Sequence, residues 1–481
     1  MTAVADDGNV IDIQAVLAAA AALANGNTGD LAESNRRFGT QFFRAVKDSS
    51  TGRTNQVFLS ETLAEAILDR GPLALGPEDN GRSVWSFDGG VWVPAADLVA
   101  DRATELLGER YKREFAAQSL DHARRMLRRD GKVITADPNP DLINFRNGIL
   151  NWRTGEFTDH TPDNLSTIQL GTEWDPDAKC PNVEAFVNEV VPADMVETIW
   201  ELIGYLMFAG NPLQKAVMLI GTGRNGKGTL LRVITSVLGE QNISAVTLQG
   251  FAREKFHRAE LFNKLANVAG DLDSTYMPET GQFKSITGGD HIYAEYKGQQ
   301  GFKFRAHAVP VFSANEIPAS ADATSGYFER WIVIKFPHSF AGREDPGLEA
   351  RLTTADELRG VAAKAIPALR GLMERQRFAE TESAVEAKQE FRRASDPVTS
   401  WIEERCHVDP ALGSIKRTTM YENYKGWASA NGHQALSARK FNGRVLGFGG
   451  GISQVRVNGY ESFKGVELAL PPDPFTDDAA L

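Results

Sequence analysis

The segment AVMLIGTGRNGKGTLLRVI, residues 216–234, sets a lysine between two glycines where one apolar run ends and another begins. Gly221, Thr222, Gly223, Arg224, Asn225, Gly226 and Lys227 satisfy the spacing G-x-x-x-x-G-K. Glycines so placed let backbone N–H groups curl around phosphate oxygens. A helix opening near Lys227 turns its positive end toward the same oxygens, and the lysine reaches the β- and γ-phosphates. The implied ligand is a nucleoside triphosphate such as ATP. The plainer reading is a glycine-rich turn with a solvated lysine, and the apolar runs on both sides weigh against it. Gly228 follows the lysine where Ser or Thr is usual, and Thr229 comes one place later. That spelling also occurs in small nucleotide kinases, and it leaves Thr229 to reach Mg²⁺ through water.

Phosphate cleavage also needs carboxylates. LANVAGDLD ends an apolar run with Asp271 and Asp273, which on a regular strand share one face. One would hold the metal shell and the other would orient the attacking water; Asp271 is the metal candidate, and which of the two polarises the water is left open, with Asp271 preferred. A hydrophobic-Asp-hydrophobic-Asp run can also present two metals for nucleotidyl transfer. That alternative needs a further acid and a histidine, and it leaves the phosphate loop unexplained. AVPVFSANEIP puts Ser313 and Asn315 at another strand end, where an asparagine can touch a γ-phosphate or simply close a turn. Arg330 stands just before the run WIVIKF. It is either structural or an arginine that acts across a subunit boundary.

These residues require a scaffold of alternating strands and helices. AVMLIGT, KLANVAGDLD, AVPVFSAN and WIVIKF read as strands separated by helical stretches, so residues 181–345 are expected to form a layered α/β domain. Within it, DHIYAEY and FKFRAH read as a hairpin with Lys297, Gln299 and Gln300 near its tip. Before it, 1–35 is expected to be a flexible segment with a weak helix. Residues 36–180 read as an α+β domain, with a hairpin around Gly89-Gly90, β-rich turns at Asn147-Gly148 and Thr154-Gly155, and a basic stretch at 110–132. Asp137 and Asp141 lie in a proline-broken loop, a poor place for a rigid metal pair. After the α/β domain, 346–396 reads as a helical connection, 397–470 as two helices and a hairpin, and 471–481 as an acidic, disordered tail.

The 481 residues carry 52 Lys and Arg against 63 Asp and Glu, a net charge of −11. Nucleic-acid binding over the whole surface is thereby disfavoured, whereas a local basic channel is not. Two cysteines, Cys180 and Cys406, are too few for a disulfide framework or a paired-cysteine zinc site. The alanine-rich run 15–24 is short and preceded by acids, so neither a signal peptide nor a membrane span is expected. The reading is a cytoplasmic protein with no membrane partner.

In order, GTGRNGKGT, NVAGDLD, FKSITGGDHIYAEYKGQQGFKF, VFSANEIP and GYFERWIVIKF resemble a superfamily 3 helicase. The branch is that of phage and plasmid replication, related to the poxvirus primase-helicases. LINFRNGILNWRTGE and TTMYENYKGWASANGHQALSARKF are similar to the domains that accompany this ATPase, so the resemblance covers about residues 80–470. It implies an AAA+ P-loop core with a collar-like mixed α+β domain before it and a winged helix after it. The expected assembly is a homo-hexamer that hydrolyses ATP with Mg²⁺ and moves on single-stranded DNA, commonly 3′ to 5′, at forked duplex DNA. By the resemblance Lys227 and Thr229 take phosphate-loop roles, Asp271 and Asp273 the acidic motif and Asn315 the sensor. Arg330 is the finger reaching the neighbouring subunit's ATP, and Lys284 shares the hairpin motif as a candidate contact to DNA phosphate or to acidic neighbours. Six hairpin tips in a ring would gather Lys297 and Gln299 of each copy into a narrow DNA-gripping pore. Two departures stand out: Gly228 follows the lysine, and Leu272 splits the two acids.

No primase constellation is found before residue 180, so a helicase without intrinsic primase activity is expected, with any primase or origin-binding protein a separate chain. The alternatives are a DNA-binding regulatory ATPase that does not unwind, and a small-molecule phosphotransferase suggested by GKGT.

Overall fold

The computed structural model describes residues 39–469, except 78–80, 136–137, 254, 273–278, 299, 317–319, 321, 323, 432 and 434, and also a short antiparallel pairing of Ala3–Val4 with Val10–Ile11. The alanine-rich run, Asp137, Asp273, Gln299 and the acidic tail lie outside the described residues. The chain divides into two compact units, 1–135 and 136–481.

In the first unit Val84–Asp88 and Val91–Pro94 form the hairpin read around Gly89-Gly90. Both glycines take positive φ, 54° and 88°, as a tight primed turn demands. Helices Ser60–Leu68, Leu98–Leu107 and Arg113–Arg129 bury Leu63, Ile67, Ala103 and Leu107 with Leu73, Leu75 and Val84 of the sheet. The basic stretch occupies the last of these helices, where Arg125 and Arg129 pair with Asp121 and Asp130.

The second unit begins upstream of the boundary read near residue 180. Ile143, Phe145, Leu150 and Trp152, from the hairpin Leu142–Phe145 and Gly148–Asn151, share one core with the helices and sheet that follow. Those elements are α1 (Pro181–Val190), α2 (Val196–Met207), β1 (Ala216–Ile220), α3 (Lys227–Leu238), β2 (Ile243–Ser244), β3 (Ala266–Leu272), α4 (Gly281–Gly288), β4 (Val309–Ala314), β5 (Trp331–Lys335), α5 (Ala355–Arg375) and α6 (Glu382–Ser395). The five strands make one parallel sheet in the order β2-β3-β4-β1-β5.

Strand residues alternate between two apolar layers, as a sheet covered on both faces requires. Val217, Leu219, Val311 and Ile334 join α1, α2, α3 and α5, while Ala216, Met218, Phe312 and Val333 join α4 and α6. Helices α2 and α5 approach so closely that a Cβ on Gly204 would stand 2.4 Å from the Ala365 carbonyl oxygen. Beyond α6, Pro397–Arg405, Arg417–Ala430 and Ala438–Gly447 pack with the antiparallel strands Ser414–Lys416, Tyr460–Lys464 and Ser453–Val457 around Trp401, Tyr424 and Phe441. Both helices and the hairpin read there are present.

One carboxylate fixes the start of α1. Buried Glu357 accepts hydrogen bonds from the backbone N–H of Asn182 and Val183, at 3.2 and 3.0 Å, and from the Asn182 side-chain amide at 2.8 Å. These are orphan donors of a helix first turn, which an anion also stabilises electrostatically. Glu357→Ala is expected to lower stability by on the order of 2–3 kcal/mol, read as a lower urea midpoint, with Glu357→Gln recovering part of the loss.

Candidate nucleotide and nucleic-acid site

The glycine-rich loop joins the carboxyl end of β1 to α3, the end of a parallel sheet where ligands bind. Gly226 caps α3 at φ 91°. A Cβ there would lie 2.7 Å from Val190 Cγ1, so α1 presses directly on the loop. Arg224 is held at φ 48°, a region unusual for a side-chain-bearing residue. Its carbonyl accepts from the Phe340 N–H at 2.8 Å, which ties the loop to the segment after β5.

Lys227 is 5% exposed. Its ammonium donates to the Gly221 carbonyl, to Asn225 Oδ1 at 3.1 Å and to Asn315 Oδ1 at 3.4 Å. Asn315 is exposed just past the carboxyl end of β4, the strand directly beside β1. The first and fourth motifs of the sequence therefore meet at one charged nitrogen. Thr229 does not join them. Two positions along a helix turn a side chain about 200° away, and the Arg232 guanidinium reaches its hydroxyl at 3.5 Å.

Asp271 lies on β3, next to β4, and its side chain is outside the described ones, as is all of Asp273. The strand contains an irregularity at this point. Ala269 pairs with Phe312 and Leu272 with Ala314, so one extra residue is inserted on β3 between them. Such a bulge breaks simple alternation and re-aims a side chain, and it interrupts the regular strand on which the shared face of Asp271 and Asp273 was read. Among the described residues no three His, Cys, Asp or Glu side chains cluster as a metal site.

Arg330 precedes β5 at the sheet end opposite the loop, where its carbonyl accepts from the Ala216 N–H. Its guanidinium donates to Thr287 Oγ1 at 3.0 Å and to the Gly326 carbonyl, and so does not meet Lys227 within the chain. Lys284 has an internal partner, the Asp322 carboxylate at 2.5 Å. Burial pushes the Asp322 carboxyl up, but hydrogen bonds from Lys284, Thr280 and Thr324 outweigh it and hold it at about 2.

The hairpin pairs His291–Ala294 with Phe302–Arg305, and exposed Lys297 sits in its connecting turn. Ile292, Ala294 and Phe304 point into the core. The opposite face exposes the cross-strand pairs His291–Arg305 and Tyr293–Lys303, with Tyr293 47% exposed. Tyr293, Lys303 and Arg305 were not singled out from sequence. The alternation in HIYA and FKFR is the signal that could have found them. A basic face with an open aromatic ring suits stacking on a base beside a phosphate. Toward its tip the hairpin is braced by Lys255 on Glu295 and by Arg258 on the Tyr293 carbonyl at 3.1 Å.

Two family models match the chain: "D5 N terminal like" over residues 51–192, and a "family of unknown function (DUF5906)" over 219–330, which spans the motifs from the phosphate loop to Arg330. A protein of Acanthamoeba polyphaga mimivirus named "Putative helicase L207/L206" is 26% identical over 216 residues, 42% of this chain and 22% of that protein. "Putative helicase 121R" of Invertebrate iridescent virus 3 is 24% identical over 226 residues, 43% of this chain and 24% of its own length. Over somewhat less than half its length the chain is thus similar to viral proteins named as putative helicases. The aligned part spans less than a quarter of either viral relative. An apo structure of the NrS-1 C-terminal region matches 83% of this chain and 97% of its own, at a TM-score of 0.48 and 11% identity.

Gly226 and Gly228 separate loop geometry from loop composition. Gly226→Ala is expected to cost about 2 kcal/mol or more, from left-handed strain and the Val190 contact, and to abolish binding of a fluorescent ATP analogue. Gly228 is an exposed helical residue where a Cβ would meet only the Arg232 guanidinium, at 3.4 Å. Gly228→Ala should gain roughly 0.5–1 kcal/mol in thermal unfolding and keep nucleotide binding.

Proposed function

We propose that this chain is an ATP-dependent DNA helicase of phage or viral replication, with an AAA+ P-loop core acting in a ring of six on single-stranded DNA at forks. One observation carries the reading: Lys227 from the loop after β1 and Asn315 from the end of β4 converge on one point. Loop N–H groups and the Lys227 ammonium bind the triphosphate, and Asn315 positions the γ-phosphate and the attacking water. Asp271, and Thr229 through water, would hold the Mg²⁺ that comes with ATP, which would supply neutralisation of phosphate charge. Asp273 is the proposed second carboxylate of the acidic motif.

Arg330 lies too far along β5 to serve its own loop, which supports a role on the adjacent subunit's nucleotide once it leaves Thr287. The hairpin supplies the DNA contact through Lys297 and Gln299 at the tip, and through Tyr293, Lys303 and Arg305 on its open face. Lys284 is held by Asp322, so its proposed contact with DNA phosphate requires that ion pair to open. The lobe 397–470 is proposed as a winged helix. Of its basic residues Arg444 is occupied by a buried ion pair with Asp396, at 2.5 Å, which leaves Arg439 and Lys440 outward. Priming and origin recognition are assigned to separate chains, and the working compartment to the host cytoplasm.

Hydrolysis and unwinding on forked DNA of each polarity test the reading together. Lys227→Ala should abolish both. Lys297→Ala, alone or with Tyr293→Ala, should leave DNA-free ATP turnover within twofold and reduce unwinding at least tenfold. Turnover indifferent to single-stranded DNA would point to the phosphotransferase, and DNA-stimulated turnover without strand separation to a regulatory ATPase.

A further inference from the structure

A cavity of about 390 Å³ opens between the amino end of β5, the start of α2 and α6, at the sheet end opposite the phosphate loop. It falls in the size range of small-ligand and peptide-anchor pockets. Its floor is aromatic, made by buried Phe328, Trp331 and Phe378. Four cations, Lys215, Arg377, Lys388 and Arg392, line it against two anions, Glu329 and Glu380. The lining is thus positive by two charges in a chain whose net charge is −11.

These cations are poorly matched by the protein itself. Lys388 and Arg377 form no ion pair among the described residues, and Arg392 lies over the Phe328 ring at 5.6 Å. Lys215 donates to the Glu329 carbonyl at 2.6 Å. Burial pushes its ammonium down, and repulsion from Lys388 and Arg330 outweighs part of what Glu329 and Glu380 return. Thr198, 1% exposed, lines the same cavity, and its hydroxyl has no partner among the described residues. A buried unpaired hydroxyl beside surplus positive charge calls for an anionic guest with a hydrogen-bonding group. Val385, 43% exposed on the lining, adds an apolar surface to the cavity.

We propose that this cavity receives the acidic segment Pro471–Leu481 of the same chain, with Phe475 on the aromatic floor and Asp473, Asp477 and Asp478 opposite the cations. The segment PPDPFTDDAAL holds three acids, one aromatic residue and no base, the complement of the lining. Its root is close by along the chain. The Ala469 N–H is bonded to the Arg405 carbonyl at 2.8 Å, and Arg405 ends the helix Pro397–Arg405 that directly follows α6. That helix is about 13 Å long, and the six residues from Ala469 to Phe475 span up to about 20 Å.

Benzoylphenylalanine at position 475 of the full chain, irradiated and mapped by mass spectrometry, tests this. The expected result is crosslinks to residues 325–333 or 377–392, reduced at least fivefold by Arg377→Glu with Lys388→Glu at unchanged melting temperature. Crosslinks mapping elsewhere, or a yield indifferent to the charge reversal, would overturn the proposal. A mixture of isotopically light and heavy chains reports the donor, and crosslinks found only between copies would refute the same-chain assignment.

Discussion

Everything at the candidate site depends on one buried ammonium. Lys227 is drawn out of water by the first turn of α3, and a lysine so placed must be met by oxygens from its surroundings. Three of those oxygens come from Gly221, Asn225 and Asn315, two of them on the loop and one on a different strand. The interaction therefore reports the strand order as much as the loop. Only because β4 lies between β1 and β3 does the end of β4 reach the Lys227 ammonium, with β3 and its acid one strand farther out. A hydrogen bond at 3.4 Å between two flexible groups is weak by itself. What matters is that the sheet holds both ends in register, so that a phosphate bound by the lysine lies within reach of the asparagine.

Behind the loop, packing supplies rigidity. Glu357 on α5 pins the start of α1, α1 presses Val190 onto Gly226, and the segment after β5 holds Arg224. On the other side of the sheet the hairpin is rooted in a separate apolar layer with α4 and α6. The proposed nucleotide and DNA contacts thus occupy different faces of one sheet, and β3 and β4, which flank the hairpin in sequence, link them. A change at the carboxyl ends of those strands has a short path to the hairpin root.

Much of this was legible in the sequence, because the signals are local. The glycine spacing, the strand–loop–helix context, the hairpin around Lys297 and the turn at Gly89-Gly90 follow from neighbours within a few residues. Asn315 was legible as a strand-end residue, but its meeting with Lys227 is set by parallel pairing across 88 positions of chain. The bulge at Gly270–Asp271 was hidden, since an inserted residue shows only against the partner strand. For Lys284 the sequence left phosphate and an acidic neighbour both open, because its partner Asp322, 38 residues on, is brought to it by the fold. The same holds for Arg330 and Thr287. The β-rich segment at 142–151 reads as part of the preceding domain by sequence proximity, whereas its apolar residues find their core with α1 and α2. Chain order does not reveal which core a strand will join.

The most direct test of the shared site is a double-mutant cycle on ATP affinity with Lys227→Met and Asn315→Ala, measured by calorimetry. If both residues act on one triphosphate, each single change weakens binding and the pair departs from additivity by about 1 kcal/mol or more. Additive losses, or an Asn315→Ala chain that binds and hydrolyses ATP unchanged, would contradict the claim that β4 completes the phosphate site.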